Sequence, residues 1–257
     1  MRQLLKFTRT SLVMFRLYLL AAVVSAGLYF TFADVPGWVV YSTLLMYSVY
    51  GCLGVVVTFH RGLTHRSYKT HRWIENLFTF FGVLAGTGSS IAWVNMHVLH
   101  HKYSDAPKDP HSPANGLIKM FALNYNVPKE LTRPAKALMR SRYHLFLHKY
   151  YNLIHIGTAI VLFTLFGVHI LFGFYVLPMI VTALMSNMVN YLGHKHGYTT
   201  YSTKDNSTNS FIAAALSFGE GWHNNHHKYP SAANFGGHKW WEFDFSYQVI
   251  KLIQKKS

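Results

Sequence analysis

The chain has 257 residues, of which 51% are hydrophobic and 13% charged, with a formal net charge of +15 and a single cysteine. That length suits one domain, and no composition break argues for two; a lone Cys52 excludes an intramolecular disulfide framework. Long apolar runs beside the positive charge point to a membrane surface, not nucleic acid, as the partner. A mean hydropathy of only +0.13 requires a substantial polar part outside the lipid.

The N-terminus is basic (Arg2, Lys6) and runs into an apolar stretch too long for a cleavable signal peptide, so it reads as a retained first span. About 20 mostly apolar residues cross a bilayer, and four spans fit, at 12–32, 37–59, 150–166 and 169–191. Only Ala33 to Pro36 separates the first two, and Gly167 breaks the last two. The segment from Leu77 to Val94 is apolar but interrupted by Gly82, Gly86, Gly88, Ser89 and Ser90, which suggests a surface-lying or re-entrant helix. A polar break at 126–134 leads towards the third span.

Lys and Arg crowd the N-terminus, the segment from Arg61 to Arg142 and the C-terminal tail, while the two hairpin turns carry none. Both termini and the polar segments (60–149 and 192–257) therefore belong on the cytoplasmic side. The expected architecture is an all-α integral membrane domain of four transmembrane helices with a cytosolic helical cap.

Seventeen histidines are the dominant compositional feature, and eight of them fall in three clusters. These are His60-x4-His65 at the end of the second span, His97-x2-His100-His101, and His223-x2-His226-His227. Positions i, i+3 and i+4 share a helix face, so each HxxHH triplet can aim its rings at one point. His60 and His65 stand about 140° apart on an α-helix, so the helix is expected to end or unwind near Gly62. Eight imidazoles exceed one tetrahedral zinc site and suit two metal ions. No Glu-x-x-His pair lies in the spans, which argues against a carboxylate-bridged di-iron bundle. A nitrogen-rich pair of redox metals beside lipid points to oxygen activation and attack on an unactivated C–H bond. His71, His144, His148, His155, His169, His196 and His238 read as ordinary surface or hydrogen-bonded histidines.

At these boxes the sequence resembles the membrane fatty acyl desaturases, in particular the Δ9 group that includes stearoyl-CoA desaturase and the bacterial acyl-lipid enzymes. The likeness runs from Thr58 to Asp244. It is densest at His60 to Arg66, Trp93 to His101, Asp109-Pro110-His111, Gly219 to His227 and Trp240-Trp241-Glu242-Phe243-Asp244. The resemblance implies two iron ions, dioxygen as co-substrate, and a ninth ligand, His194, with Asn190 holding a metal-bound water. It also implies a cis Δ9 double bond as product. Acyl-CoA enzymes carry Arg-Asp just before the second box, where this chain has Asn95 and Met96. That departure favours an acyl lipid, or a carrier-protein-linked chain, over acyl-CoA. No His-Pro-Gly-Gly haem signature occurs, so electrons are expected from a separate ferredoxin or cytochrome b5.

Ligating imidazoles need their second nitrogen held, and Asp105, Asp109 and Glu220 are the carboxylates nearest in sequence. Leu44, Ser48, Cys52 and Val55 fall on one stripe of the second span and, with Trp93 and Asn95, are the candidates for lining an acyl tunnel. The same stripe also suits plain helix packing. Two other functions fit the boxes: a histidine-box hydroxylase or ketolase, and a non-enzymatic metal transporter or sensor. The second is disfavoured because transporters place ligands near the bilayer midplane.

Overall fold

The computed structural model describes the backbone of residues 2–113 and 130–255, with side chains from residue 17 onward in those ranges. In chain order the helices are α1 (Arg2–Phe32) and α2 (Trp38–Tyr47), which continues as a π-helical stretch (Ser48–Thr64). Then come α3 (Arg72–Leu84), α4 (Ser90–Tyr103), α5 (Arg133–Leu138), α6 (Arg142–Lys149) and α7 (Tyr151–Leu171). A π turn (Phe172–Val176) leads into α8 (Leu177–Lys195), followed by α9 (Phe211–Leu216), α10 (His223–Lys228) and α11 (Phe245–Ile253). Among the described residues only isolated bridges, such as Tyr198 with Asn209, represent β pairing. Of the polar break expected at 126–134, residues 126–129 lie outside the described set.

Among the described residues, two continuous helical stretches are long and apolar enough to cross a membrane, Trp38–Thr64 and Tyr151–Lys195. The second has 45 residues, which as a straight rod would measure about 67 Å, roughly twice a bilayer's hydrocarbon core. It folds back instead. Gly167 takes φ 81° and ψ −178°, a conformation that glycine adopts without a Cβ penalty. Twenty positions apart, the Tyr175 hydroxyl then lies 3.3 Å from the His155 carbonyl.

These segments share one core. Ala22 and Ala26 sit one turn apart on α1 and are buried in one hydrophobic cluster with Val39, Tyr175 and Met179. Tyr29 stacks on Phe172 with centroids 4.1 Å apart, and its hydroxyl is 2.8 Å from His169 Nδ1. The outward faces carry Leu20, Val24 and Leu28 of α1, Tyr41 and Leu45 of α2, and Ile160, Phe163 and Phe166 of α7, all exposed. Continuous apolar faces left uncovered in this way mark surface that meets a membrane or another protein.

The sequence reading has the second helix unwinding near Gly62; the structure keeps it wound to Thr64 as a π-helix, whose bonds close i→i+5. The hydroxyls of Thr58 and Thr64 donate to carbonyls five residues back, at 2.9 Å to Leu53 O and 2.7 Å to Phe59 O. α3 crosses this stretch at backbone contact. A Cβ on Gly54 would strike the Gly82 backbone, and one on Gly82 would lie 2.6 Å from the Phe59 ring. The apolar segment 77–94, expected as one surface-lying or re-entrant helix, is divided between two. Gly86 (φ 71°) and Gly88 (φ 108°) turn the chain, and Ser89 starts α4 by accepting from Ala92 N at 3.3 Å.

Gly54→Ala should therefore cost about 1–3 kcal/mol, read as a lower thermal unfolding midpoint of the detergent-solubilised chain. Gly157→Ala on α7, where a Cβ meets nothing within 4 Å, should be neutral or slightly stabilising. Equal responses at the two sites would refute the close crossing.

Candidate metal centre

The C-terminal ends of the two long stretches meet at one end of the bundle, where α4 and α10 complete a cage of imidazoles. His60, His65, His97, His101 and His226 form one group, and His100, His194, His223 and His227 another. Within each group, one nitrogen per ring lies within 4.8 Å of all the others, close enough to hold a metal ion. In the first group Nε2 atoms approach at 3.0 Å (His60–His226), 3.1 Å (His65–His97) and 2.9 Å (His101 to both His97 and His226). In the second, His194 and His223 approach at 3.1 Å. Two nitrogens bound to one ion at about 2.1 Å would sit about 3 Å apart.

Two local geometries differ from expectation. The HxxHH triplets do not each aim at one point: His97 and His101 serve the first group while His100 serves the second, and α10 divides His226 from His223 and His227. At about 100° per residue, i+3 and i+4 fall on opposite sides of i, so one triplet addresses two neighbouring points. His60 and His65, misaligned on an α-helix, come together because the π-helix stacks residues five apart. Their ring centroids are 5.0 Å apart, and His65 N donates to His60 O at 3.1 Å.

Carboxylates hold four rings from behind. His60 Nδ1 donates to Glu220, His100 Nδ1 lies 3.0 Å from both Asp109 oxygens, and His194 Nδ1 is 3.1 Å from Asp105. His227 Nδ1 lies 2.7 Å from Asp205, a carboxylate that the sequence reading passed over. With Nδ1–H donated outward, each Nε2 presents a lone pair inward. His100 Nε2 and His227 Nε2 are buried without a hydrogen-bond partner.

Burial, reinforced by neighbouring rings, holds His97, His100, His101, His223 and His226 well below the usual imidazole range and takes His65 down to about 2. Neutral rings with converging nitrogens, two of them (His100 Nε2 and His227 Nε2) without a hydrogen-bond partner, are the donor set that a divalent cation requires, so these residues fit a metal. Burial pushes Asp105 and Asp205 up, but the imidazoles and backbone amides that bind them outweigh it and keep both below the ordinary carboxylate value. Asp109 is instead raised, by burial. His111 packs 4.6 Å from His100 and forms with Asp109 a third grouping that shares that ring.

Arg61, counted from sequence among the cytoplasmic surface charges, is fully buried. It bonds Glu220 at 3.0 Å and Asp244 at 2.7 Å and lies 3.9 Å over the Phe235 ring. The late acidic motif thereby acquires a purpose: Asp244 pairs Arg61 and caps α11 through Tyr247 N at 3.0 Å. Glu242 accepts from Tyr198 Oη at 2.6 Å and Asn225 Nδ2 at 3.2 Å. The two asparagines inside the third box clamp loops. Asn224 accepts from Thr200 N and Tyr201 N, and Asn225 donates to Phe235 O.

Asn190 lies half-buried one turn before His194 on α8. Trp93 stacks on His97 with centroids 4.9 Å apart, and its ring also meets His60 and Phe59. Asn95 is committed to the backbone, donating to Glu130 O at 3.0 Å and accepting from Thr132 N at 2.8 Å. The proposed tunnel stripe is not one face. Leu44 is 56% exposed, Ser48 bonds the Leu44 carbonyl, and Cys52 packs with Val57 and Ile250 while Val55 joins the main core. The change from α to π winding at Ser48 breaks the register that aligned them. Outside the cage, His144 and His148 meet Ser90 and Ser89, His155 meets Tyr175, His169 meets Tyr29, and His238 meets Tyr201.

A family model described as fatty acid desaturase matches residues 36–251. The chain belongs to that family. It is 36% identical over 215 residues to an sn-1 stearoyl-lipid 9-desaturase of Anabaena variabilis, covering 82% of this chain and 79% of the relative. It is 35% identical to Delta-9 acyl-lipid desaturase 1 of Arabidopsis thaliana (82% and 70%) and 36% identical to an acyl-CoA C20 Delta5-desaturase of Anemone leveillei (87% and 72%). As a desaturase it is an oxidoreductase acting on fatty acyl substrates, and its uncovered apolar helices make it a membrane protein.

Arg61→Met should destabilise the chain by about 3–5 kcal/mol, because it strands two buried carboxylates. The exposed Arg66→Met serves as the control, and thermal unfolding reads both. Burial holds His144 down to about 4, so below about pH 6.5 the unfolded chain binds a proton that the folded chain refuses. Stability of the metal-free protein should fall as pH drops from about 6.5 towards 4. His144→Gln should lessen that slope by one proton's share, at most about 1.4 kcal/mol per pH unit, with the other buried histidines supplying the rest; denaturant titrations read the difference.

Proposed function

We propose that this desaturase inserts a cis double bond at Δ9 of a saturated acyl chain, using dioxygen and one iron ion in each imidazole group. The observation that carries this reading is the convergence of nine imidazoles into two adjacent, buried groups beside an apolar core. In the overall reaction two adjacent methylenes lose two hydrogens, and dioxygen takes these with two electrons and two protons to become two waters. The bound irons would supply the oxidising power to break unactivated C–H bonds.

The chain's own task is positioning and exclusion of water. Trp93 and Phe59 bring apolar surface up to His60 and His97, so we assign that junction as the place where the reacting carbons lie. Four carboxylates keep the rings turned inward, and Asn190, a turn from His194, would hold a water on the four-imidazole side. Four membrane crossings, with both termini and the histidine end in the cytoplasm, agree with the hairpin at Gly167 and with the distribution of Lys and Arg. Electrons would come from a ferredoxin or cytochrome b5.

The commitment of Asn95 to the backbone of Glu130 and Thr132 leaves no polar group at that position for a CoA headgroup, which favours an acyl lipid as substrate. The relatives' names include both carriers, so chemistry must decide. In a host lacking Δ9 desaturation, expression should yield cis-9 monounsaturated acyl chains on glycerolipids, with about two iron ions per purified chain. His226→Ala should reduce the product at least a hundredfold. A hydroxylated chain by gas chromatography and mass spectrometry would replace desaturation with hydroxylation.

A further inference from the structure

The two imidazole groups differ in what stands behind them. The four-imidazole group is backed by Asp105 on His194, Asp109 on His100 and Asp205 on His227. Among the described residues, none of these three carboxylates forms an ion pair with Lys or Arg. The five-imidazole group has one carboxylate on a ring, Glu220 on His60, and Glu220 is bonded to the Arg61 guanidinium, which also binds Asp244. The first environment therefore carries three negative charges and the second a net of one.

Their surroundings differ as well. Asp105, Asp205 and His194 line a polar cavity of about 590 Å³ with Lys195, Thr199 and Asn206, whereas the five-imidazole side packs against Trp93 and Phe235. Outer carboxylates raise the basicity of a ligating imidazole and fix its ring. Negative charge that no Lys or Arg pairs at contact distance stabilises a nearby cation directly, and Lys195, on the same cavity wall, forms no ion pair with these acids.

We propose that the two metal positions are unequal. The four-imidazole group is the tight site, filled first through the polar cavity, and Asp205 is a positioning residue that makes it so. The five-imidazole group fills second and faces the acyl chain. This inference rests on the two-metal reading above, and the following experiment separates the two.

Metal-free full-length protein in detergent is loaded with cobalt(II) alone, and its visible absorption is followed to three equivalents. Two steps of one equivalent each are expected, the first at least roughly tenfold tighter than the second. Asp205→Asn, a same-shape change at the cavity rim, should weaken only the first step by roughly ten- to a hundredfold. Asp205→Glu should restore part of it, and a merely structural role would not show that rescue. His65→Ala should weaken the second step and leave the first. Two indistinguishable steps in the parent protein, an unchanged first step in Asp205→Asn, or loss of the first step in His65→Ala would each overturn the inequality. Saturation at one equivalent or fewer would overturn the two-metal reading itself. If Asp205→Asn fails to give folded protein by circular dichroism, Asp105→Asn on the same rim carries the same expectation and the same refutation.

Discussion

The arrangement depends on one interaction: an imidazole that donates its Nδ1 proton outward must turn its Nε2 lone pair inward. Four rings are held in that way, by Glu220, Asp109, Asp105 and Asp205, and each acid stands on a different turn or loop from the ring it binds. Burial holds His97, His100, His101, His223 and His226 well below the usual imidazole range, and a neutral ring is what makes a converging lone pair available to a cation and not to a proton. The cage thus has two linked requirements. Its walls must exclude water, and the acids behind it must still find compensation for their own charge.

Arg61 meets the second requirement on one side. A fully buried guanidinium between Glu220 and Asp244 is costly to desolvate, and it is tolerated because both acids and the Phe235 face engage it at once. The same contacts tie the end of the π-helical stretch to the loop before α10 and to the cap of α11. Charge compensation and chain tethering are therefore the same set of bonds. On the other side, among the described residues, no Lys or Arg pairs with Asp105, Asp109 or Asp205, and a polar cavity with Lys195 on its wall reaches Asp105 and Asp205.

The bundle below supplies rigidity and an apolar approach. A close crossing through Gly54 and Gly82 brings two backbones together without large side chains between them, and Ala22 and Ala26 join the same hydrophobic core. The outward faces of α1, α2 and α7 remain apolar and uncovered by the rest of the chain. Trp93 stands where that apolar interior reaches the imidazoles, a junction suited to holding hydrocarbon against an oxidising centre.

The sequence alone determined the class of molecule. Apolar runs of span length, the Gly167 break, and three histidine clusters with helical or near-helical spacing are local features, and local features survive without knowledge of what packs against them. Nearness to a histidine box singled out Asp105, Asp109 and Glu220, but only Asp109 holds a ring of its own neighbouring box, His100; Asp105 and Glu220 hold His194 and His60, 89 and 160 positions away. Other features belonged to tertiary structure. The wound path through His60 and His65 depends on a π-helix sustained by threonine side chains and by contact with α3. The split of each triplet between two groups depends on where the other helices stand. Asp205 at His227, Arg61 between two distant acids and Asn95 clamped to Glu130 and Thr132 join positions from 22 to 183 residues apart. Residue type and periodicity record which groups can bind, whereas a partner so far along the chain is chosen only when folding brings the two together.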